Sequence, residues 1–233
     1  MKYIDFILKP ILRALFPPQC LPCGKVLAAG VICEPCFAGI PRNKTLFCPR
    51  CGARIPGAKR ICHRDVVYLL GSAGPYGDPV PRCLIHNLKF RGVRDAAKPL
   101  AELVAKYLTS IPVDLNDFLL IPIPLSRLRR NERGFNQTEE IARHLTRLVP
   151  LRTRTDILTR TRHTKPQTET ADVAERRRNV LSCFSVAKPD AIAQKDILLL
   201  DDVATSGATL GEAARALKGA GARRIIGVTA AKA

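Results

Sequence analysis

The stretch Ile197–Leu210, ILLLDDVATSGATL, constrains the fold more than any other part of the chain. Four aliphatic residues run into two adjacent carboxylates, and a loop of small and hydroxylated residues follows. A short, unbroken aliphatic run reads as a strand buried on both faces, the kind that parallel sheets contain. Such a strand needs helices over both faces, so an α/β architecture follows. Asp201 and Asp202 are expected where this strand leaves the sheet, the end at which open α/β folds take ligands. The loop Ala204, Thr205, Ser206, Gly207, Ala208 and Thr209 carries no bulky side chain. Its backbone N–H groups can close on an anion, and a helix starting near Thr209 points its positive end at the same place. A phosphate in the loop with two acids beside it describes a phosphorylated sugar. The acids would hold ribose hydroxyls, or water on a Mg²⁺ ion. The bland alternative is a strand–turn–helix with a solvated Asp pair.

This stretch resembles the phosphoribosyl-pyrophosphate motif of type I phosphoribosyltransferases, carried here by Asp201, Asp202, Ser206, Gly207 and Thr209. The resemblance implies a type I phosphoribosyltransferase-like parallel sheet flanked by helices. It also implies that the ligand is phosphoribosyl pyrophosphate, taken with Mg²⁺.

The remaining pattern suits that sheet. Strand character marks Val66–Tyr76, Phe118–Ile123, Leu181–Val186 and Ile225–Thr229, with a brief signal at Ile157-Leu158. Amphipathic helices are expected from Pro79 to about Gly92, over Asp95–Thr109 and over Asn136–Leu148. A loop is expected over Pro124–Phe135, holding Arg127, Arg129, Arg130 and Arg133. Guanidinium groups there suit bidentate contact with a pyrophosphate. The segment around Arg162–Thr170 has no apolar residue, and it adds Arg162, Lys165, Arg176, Arg177 and Arg178 on an element expected to be mobile. Breaking an anomeric C–O bond builds charge on the leaving pyrophosphate, which Arg and Lys stabilise. Asp201, Asp202, Arg133 and Lys165 are therefore the catalytic candidates. Solvated basic loops are the competing reading of these arginines.

Six of the nine cysteines form three Cys-x-x-Cys pairs. The span 20–65 has few apolar residues and cannot build a core alone, so it needs a staple. Cys20, Cys23, Cys33 and Cys36 make a tetrahedral zinc set, as in a zinc ribbon. Cys48, Cys51 and Cys62 begin a second set whose fourth ligand is open. Asp65 lies three residues after Cys62 and His63 is the rival. Adjacent Cys and His side chains seldom reach one ion together, so Asp65 is preferred. A metal-free second ribbon and a redox Cys-x-x-Cys are the alternatives. The chain thus divides into residues 1–65, a short amphipathic helix over 3–16 and a double zinc ribbon, and residues 66–233, the sugar-phosphate domain. Paired cysteines at metal spacing, with no convincing signal peptide, point to a reducing compartment, the cytoplasm.

Lys and Arg number 38 against 20 Asp and Glu, a formal charge of +18. That balance favours an anionic partner. Lys89, Arg91 and Arg94 cluster where the helix from Pro79 ends, and they are the nucleic-acid candidates. Aromatic residues are few and Trp is absent, so no large base-stacking platform is evident.

Together with LFPPQCLPCG at 15–24, CPRCG at 48–52, LKFRG at 88–92, IPIPLSRLRRNERGFNQ at 121–137, TKPQ at 164–167 and ERRRNV at 175–180, the chain resembles the ComF family. That resemblance implies a double zinc ribbon joined to a phosphoribosyltransferase domain. It further implies a part in natural transformation, handling incoming single-stranded DNA in the cytoplasm near a competence helicase. Asp65 stands where the family carries a cysteine. Thr205 stands where phosphoribosyltransferases of the hypoxanthine–guanine type carry an Asp base, which speaks against a purine of that class as acceptor.

Overall fold

A computed structural model describes residues 17–55, 62–161 and 183–233. The helix expected over 3–16 and the residues Arg162, Lys165, Arg176, Arg177 and Arg178 lie outside these.

The described elements run in this order: α1 (Glu34–Ala38), β1 (Leu46–Phe47), β2 (Arg54–Ile55), β3 (Leu69–Pro75), α2 (Pro79–Phe90), α3 (Ala97–Ser110), β4 (Phe118–Pro122), α4 (Arg127–Arg133), α5 (Gln137–Leu145), β5 (Arg152–Thr153), β6 (Leu158–Arg160), β7 (Phe184–Val186), β8 (Asp196–Ala204), α6 (Ala208–Gly219) and β9 (Arg224–Lys232). The main sheet has the order β2-β1-β3-β9-β8-β4-β5. Strands β3, β9, β8, β4 and β5 are parallel, and β1 and β2 extend one edge antiparallel. Strands β6 and β7 form a separate antiparallel pair.

The aliphatic run dictates the centre. Ile197, Leu198, Leu199 and Leu200 are fully buried. Successive strand side chains point to opposite faces, so Leu198 and Leu200 join one core and Ile197 and Leu199 the other. The first core is closed by α2, α3 and α5, and the second by α6 and the β6–β7 pair. Burying each such side chain contributes about 1.5–3 kcal/mol relative to leaving it in water.

The helices begin where local chemistry directs. Asp78 caps α2 by accepting the Val80 N–H at 2.9 Å, with Pro79 in the first turn. The arginine segment expected as a loop is a short helix, α4. Ser126 caps its start by accepting the Arg129 N–H, and Gly134 ends it in the left-handed region. Asn136 caps α5 and also donates to the Ile123 carbonyl at 3.0 Å, tying that helix to the end of β4.

The division drawn at residue 65 is not a break in packing. The β1–β2 hairpin of the cysteine-rich region hydrogen-bonds to β3 through Leu46↔Gly71 and Phe47↔Leu70. Phe37, Leu46 and Cys48 share a core with Leu100, Leu103 and Leu120. The Tyr107 hydroxyl donates to the Thr45 carbonyl at 2.7 Å, fastening α3 to the hairpin. Gly71 makes this possible, because a Cβ there would stand 2.9 Å from the Tyr107 ring and hydroxyl.

Gly71→Ala is expected to destabilise the protein by about 1–3 kcal/mol through overpacking against Tyr107. Chemical denaturation measures this, and a variant of unchanged midpoint would show that the contact yields freely.

Candidate functional site

Strand β8 does not stop at the acids. Its pairing with β9 continues through Asp201↔Thr229 to Ala204↔Lys232. Asp201 and Asp202 therefore lie inside the strand rather than beyond its end, as the sequence suggested, and both are buried. Asp201 Oδ1 accepts the Asp202 N–H at 2.9 Å. Burial, followed by the neighbouring Asp202 charge, holds the Asp201 carboxyl well above the usual carboxylate range.

The loop after β8 forms a shallow concavity lined by Asp201, Ala204, Thr205, Gly207, Ala208 and Thr209. Ser206 lies in the same turn, its Oγ 3.4 Å from the Ala208 N–H. Gly207 has φ +70°, and a Cβ there would come 3.0 Å from the Tyr68 hydroxyl. That hydroxyl donates to the Gly207 carbonyl at 3.2 Å, so the buried Tyr68 supports the loop from beneath. Helix α6 starts at Ala208, with its first turn at the concavity. The N–H groups at the first turn of a helix favour an anion.

Cations gather around the acids from three elements. The Lys89 ammonium, at the C-terminal end of α2, sits 2.8 Å from Asp202 Oδ1, with only 17% of its side chain exposed. The expected cluster of Lys89, Arg91 and Arg94 is thereby divided. Lys89 turns inward to the site, while Arg91 and Arg94 stay exposed. The pairing joins residues far apart in sequence, which no local pattern reveals. Arg133 is half-buried, donates to Gln137 Oε1 at 3.0 Å and lies in the field of Asp202. Burial pulls the pKa values of Arg133 and Arg160 down, and the acids oppose that pull, Asp202 for Arg133 and Asp201 for Arg160. Arg160, on β6, was not foreseen as a site residue. Of the other arginines on α4, Arg130 pairs with Glu139, Arg127 is exposed and Arg129 is half-buried near Arg133 and Arg160.

Asp202 Oδ2 is buried and has no hydrogen-bond partner among the described residues. A buried acceptor in that state is costly. It fits a ribose hydroxyl or a water on Mg²⁺, and the adjacent Asp201 supplies a second carboxylate for the same ligand. A larger, mainly apolar cavity of about 360 Å³ lies elsewhere, between the Gly30–Ile32 turn and helices α3 and α5. None of its lining residues belongs to the acid pair or its loop.

Two thiol clusters occupy the cysteine-rich region. In the first, Cys20 Sγ lies 3.6 Å and Cys23 Sγ 3.7 Å from Cys33 Sγ, and Cys36 completes the set. In the second, Cys51 Sγ and Cys62 Sγ are 3.7 Å apart, and His63 Nδ1 is 3.5 Å from Cys48 Sγ. All four donor atoms of each set lie within 4.8 Å of one another, which fits a tetrahedral zinc ion. The side chain that the structure brings to the three thiols of the second set is therefore His63, not Asp65. A bend at Cys62-His63 sets the two adjacent side chains on one side of the chain. The Asp65 carboxylate turns instead to Arg50, 2.7 Å away, and that guanidinium holds it below its ordinary pKa.

Two family models match the chain. Residues 11–65 match the double zinc ribbon domain, and residues 87–233 match the phosphoribosyl transferase domain. The chain is 30% identical over 222 residues to the DNA utilization protein YhgH of Escherichia coli O157:H7, covering 90% of this chain and 94% of that protein. Competence protein F of Haemophilus influenzae is 26% identical over 223 residues, 89% of this chain and 93% of that one. Competence protein ComFC of Bacillus subtilis is 29% identical over 202 residues, 80% of this chain and 77% of that one.

His63→Ala is expected to lower the zinc content from two ions per chain to one, while Asp65→Ala keeps both. Elemental analysis decides between them, and the reverse pattern would restore Asp65 as ligand. The raised Asp201 pKa sets a second expectation. The folded carboxyl keeps its proton to higher pH than the unfolded one, so its contribution is full below the unfolded value and is lost as pH rises through the folded value. Asp201→Asn removes that loss. It should stabilise the zinc-loaded protein by about 1–2 kcal/mol at pH 8, with the gain shrinking toward pH 5. A gain equal at both pH values in thermal unfolding would show that Asp201 titrates normally.

Proposed function

This chain belongs to the ComF family, which joins a double zinc ribbon to a phosphoribosyltransferase domain, and on that premise we propose that it is an accessory protein of DNA uptake and use that binds phosphoribosyl pyrophosphate. The observation that carries the ligand is the buried Asp201–Asp202 pair above the small-residue loop, with Lys89, Arg133 and Arg160 around it. The 5-phosphate takes the loop N–H groups and the first turn of α6. Asp201 and Asp202 take the ribose hydroxyls and hold Mg²⁺ through its waters. When bound, the ion neutralises pyrophosphate charge. Arg133, with Arg127, Arg129 and Arg130 of the same helix α4, is assigned to the pyrophosphate. Lys165 is assigned to the same group.

The DNA side of the reading rests on the relatives' names and on the charge of +18. Single-stranded DNA is the proposed nucleic-acid partner, a competence helicase the proposed protein partner and the cytoplasm the proposed location. Among the described residues no helix is long and apolar enough to cross a membrane.

A second reading is favoured by the cations beside the acids. The domain would then transfer the phosphoribosyl group. The anomeric C–O bond to pyrophosphate breaks, a bond to the acceptor forms, and pyrophosphate leaves with the electron pair.

Calorimetric titration with phosphoribosyl pyrophosphate and Mg²⁺ should show one site per chain. The double change Asp201→Asn with Asp202→Asn should weaken it by about tenfold or more, since charged hydrogen bonds are lost. Undiminished affinity would move the site elsewhere. Binding of an oligonucleotide should fall steeply with salt, and a flat salt dependence would remove DNA from the reading. Pyrophosphate release that disappears in the double variant would favour transfer over binding alone.

A further inference from the structure

Helix α2 presents an aromatic pair to solvent beside the acid site. Leu84, Ile85 and Leu88 of this helix are fully buried against the first core. His86 and Phe90, one turn apart, lie on its exposed face. Their ring centroids are 5.0 Å apart at an interplanar angle of 47°. Phe90 is 61% exposed, and among the described residues the other exposed large apolar side chains (Val26, Leu128 and Leu148) are aliphatic. A lone exposed aliphatic residue is ordinary on a protein surface. An aromatic ring set among cations is not of that kind.

The setting is cationic on two sides. The Arg133 guanidinium lies 5.3 Å from the Phe90 ring centroid and is also in the field of Asp202. The ring is thus in contact with a guanidinium that feels the charge of the acid pair. Past the ring, Arg91 and Arg94 are exposed, and Arg94 lies 4.7 Å from the Phe135 ring centroid. Lys89, between Leu88 and Phe90 in sequence, anchors this end of the helix to Asp202 at 2.8 Å. The ring is thus held on a rigid element at a fixed place relative to the acids. Aromatic faces with flanking arginines take unpaired bases by stacking and their phosphates by charge.

We propose that the His86–Phe90 pair is a base-stacking platform for single-stranded nucleic acid, with the strand's phosphates on Arg91 and Arg94 and one nucleotide brought beside the sugar-phosphate site. This rests on the single-strand reading above and gives it a surface. Duplex bases are stacked on each other and offer the ring no face, so the platform selects single strands.

Stacking and charge can be told apart with two strands of equal charge. One is an oligothymidylate of about twelve nucleotides, within the range of single-strand site sizes. The other has the same length and abasic sugars at several adjacent positions. Fluorescence anisotropy with wild-type protein should show about tenfold tighter binding of the thymidylate, the order expected for a stacked base. Phe90→Ala should abolish that preference and leave the salt slope intact, and Phe90→Tyr should keep it. Phe90 is exposed, so both variants should melt with wild type, which thermal unfolding checks. Arg91→Ala with Arg94→Ala should reduce the salt slope for both strands and leave the preference. If both strands bind equally to wild type, or Phe90→Ala keeps the preference, the platform is wrong while single-strand binding stands. If neither strand binds, the single-strand reading falls and the platform with it. If free thymine at millimolar concentration displaces the strand, the surface is a small-molecule acceptor site and the proposal is overturned.

Discussion

Two carboxylates side by side within the central strand are the burden that the surrounding structure answers. Taking a carboxylate out of water costs several kcal/mol, and a like charge next to it raises the cost. The Lys89–Asp202 ion pair offsets part of it at 2.8 Å. For that pair to form, α2 must end at the C-terminal end of the sheet. The buried face of α2 and its Asp78 cap fix where it ends. Arg133 and Arg160 reach the same field from α4 and β6. Neither is drawn in by local preference, since both give up hydration to be there. Among the described residues the second oxygen of Asp202 stays buried and unpartnered, a cost that a bound hydroxyl or hydrated cation would relieve.

The cysteine clusters are joined to this arrangement through the sheet. Cys48 lies in the same core as Leu46 and Leu103, and the β1–β2 hairpin continues the hydrogen bonding of β3. A metal ion at the second set would thus stabilise an edge of the phosphoribosyltransferase domain as well as a ribbon. Zinc free energy is folding free energy where no preformed site exists without the metal. Strand β3, which follows the ribbon, pairs with β9, and β9 with β8, so that edge is two strands from the acids. On α2 the exposed His86 and Phe90 stand beside Lys89, which turns inward to Asp202, so one helix carries an exposed aromatic pair and a cation of the acid site.

Much of this was legible in the sequence, and particular residues show why. The ILLL run, the small-residue loop and the Cys-x-x-Cys pairs are local patterns, and they fall where periodicity and spacing put them. The misplaced features have two kinds of cause. Helix α4 lies where the density of arginines suggests a binding loop, although Ser126 and Gly134 carry its start and stop signals. Adjacent Cys and His side chains seldom reach one ion together, which favours Asp65 on sequence, yet across the bend at Cys62-His63 both side chains come to the same cluster.

The sequence by itself determined the strand, the loop that follows it, the metal-type cysteine pairs and the excess of positive charge, since each depends on neighbours a few residues apart. Only the tertiary structure decided how far β8 extends, because pairing with β9 carries it past the acids and buries them. Only the tertiary structure turned Lys89 from a surface cation into the partner of Asp202, across more than a hundred residues. The reason is the same in both cases. Burial of a charge is set by whatever packs over it, and that is a property of the assembled sheet and helices rather than of any stretch of chain.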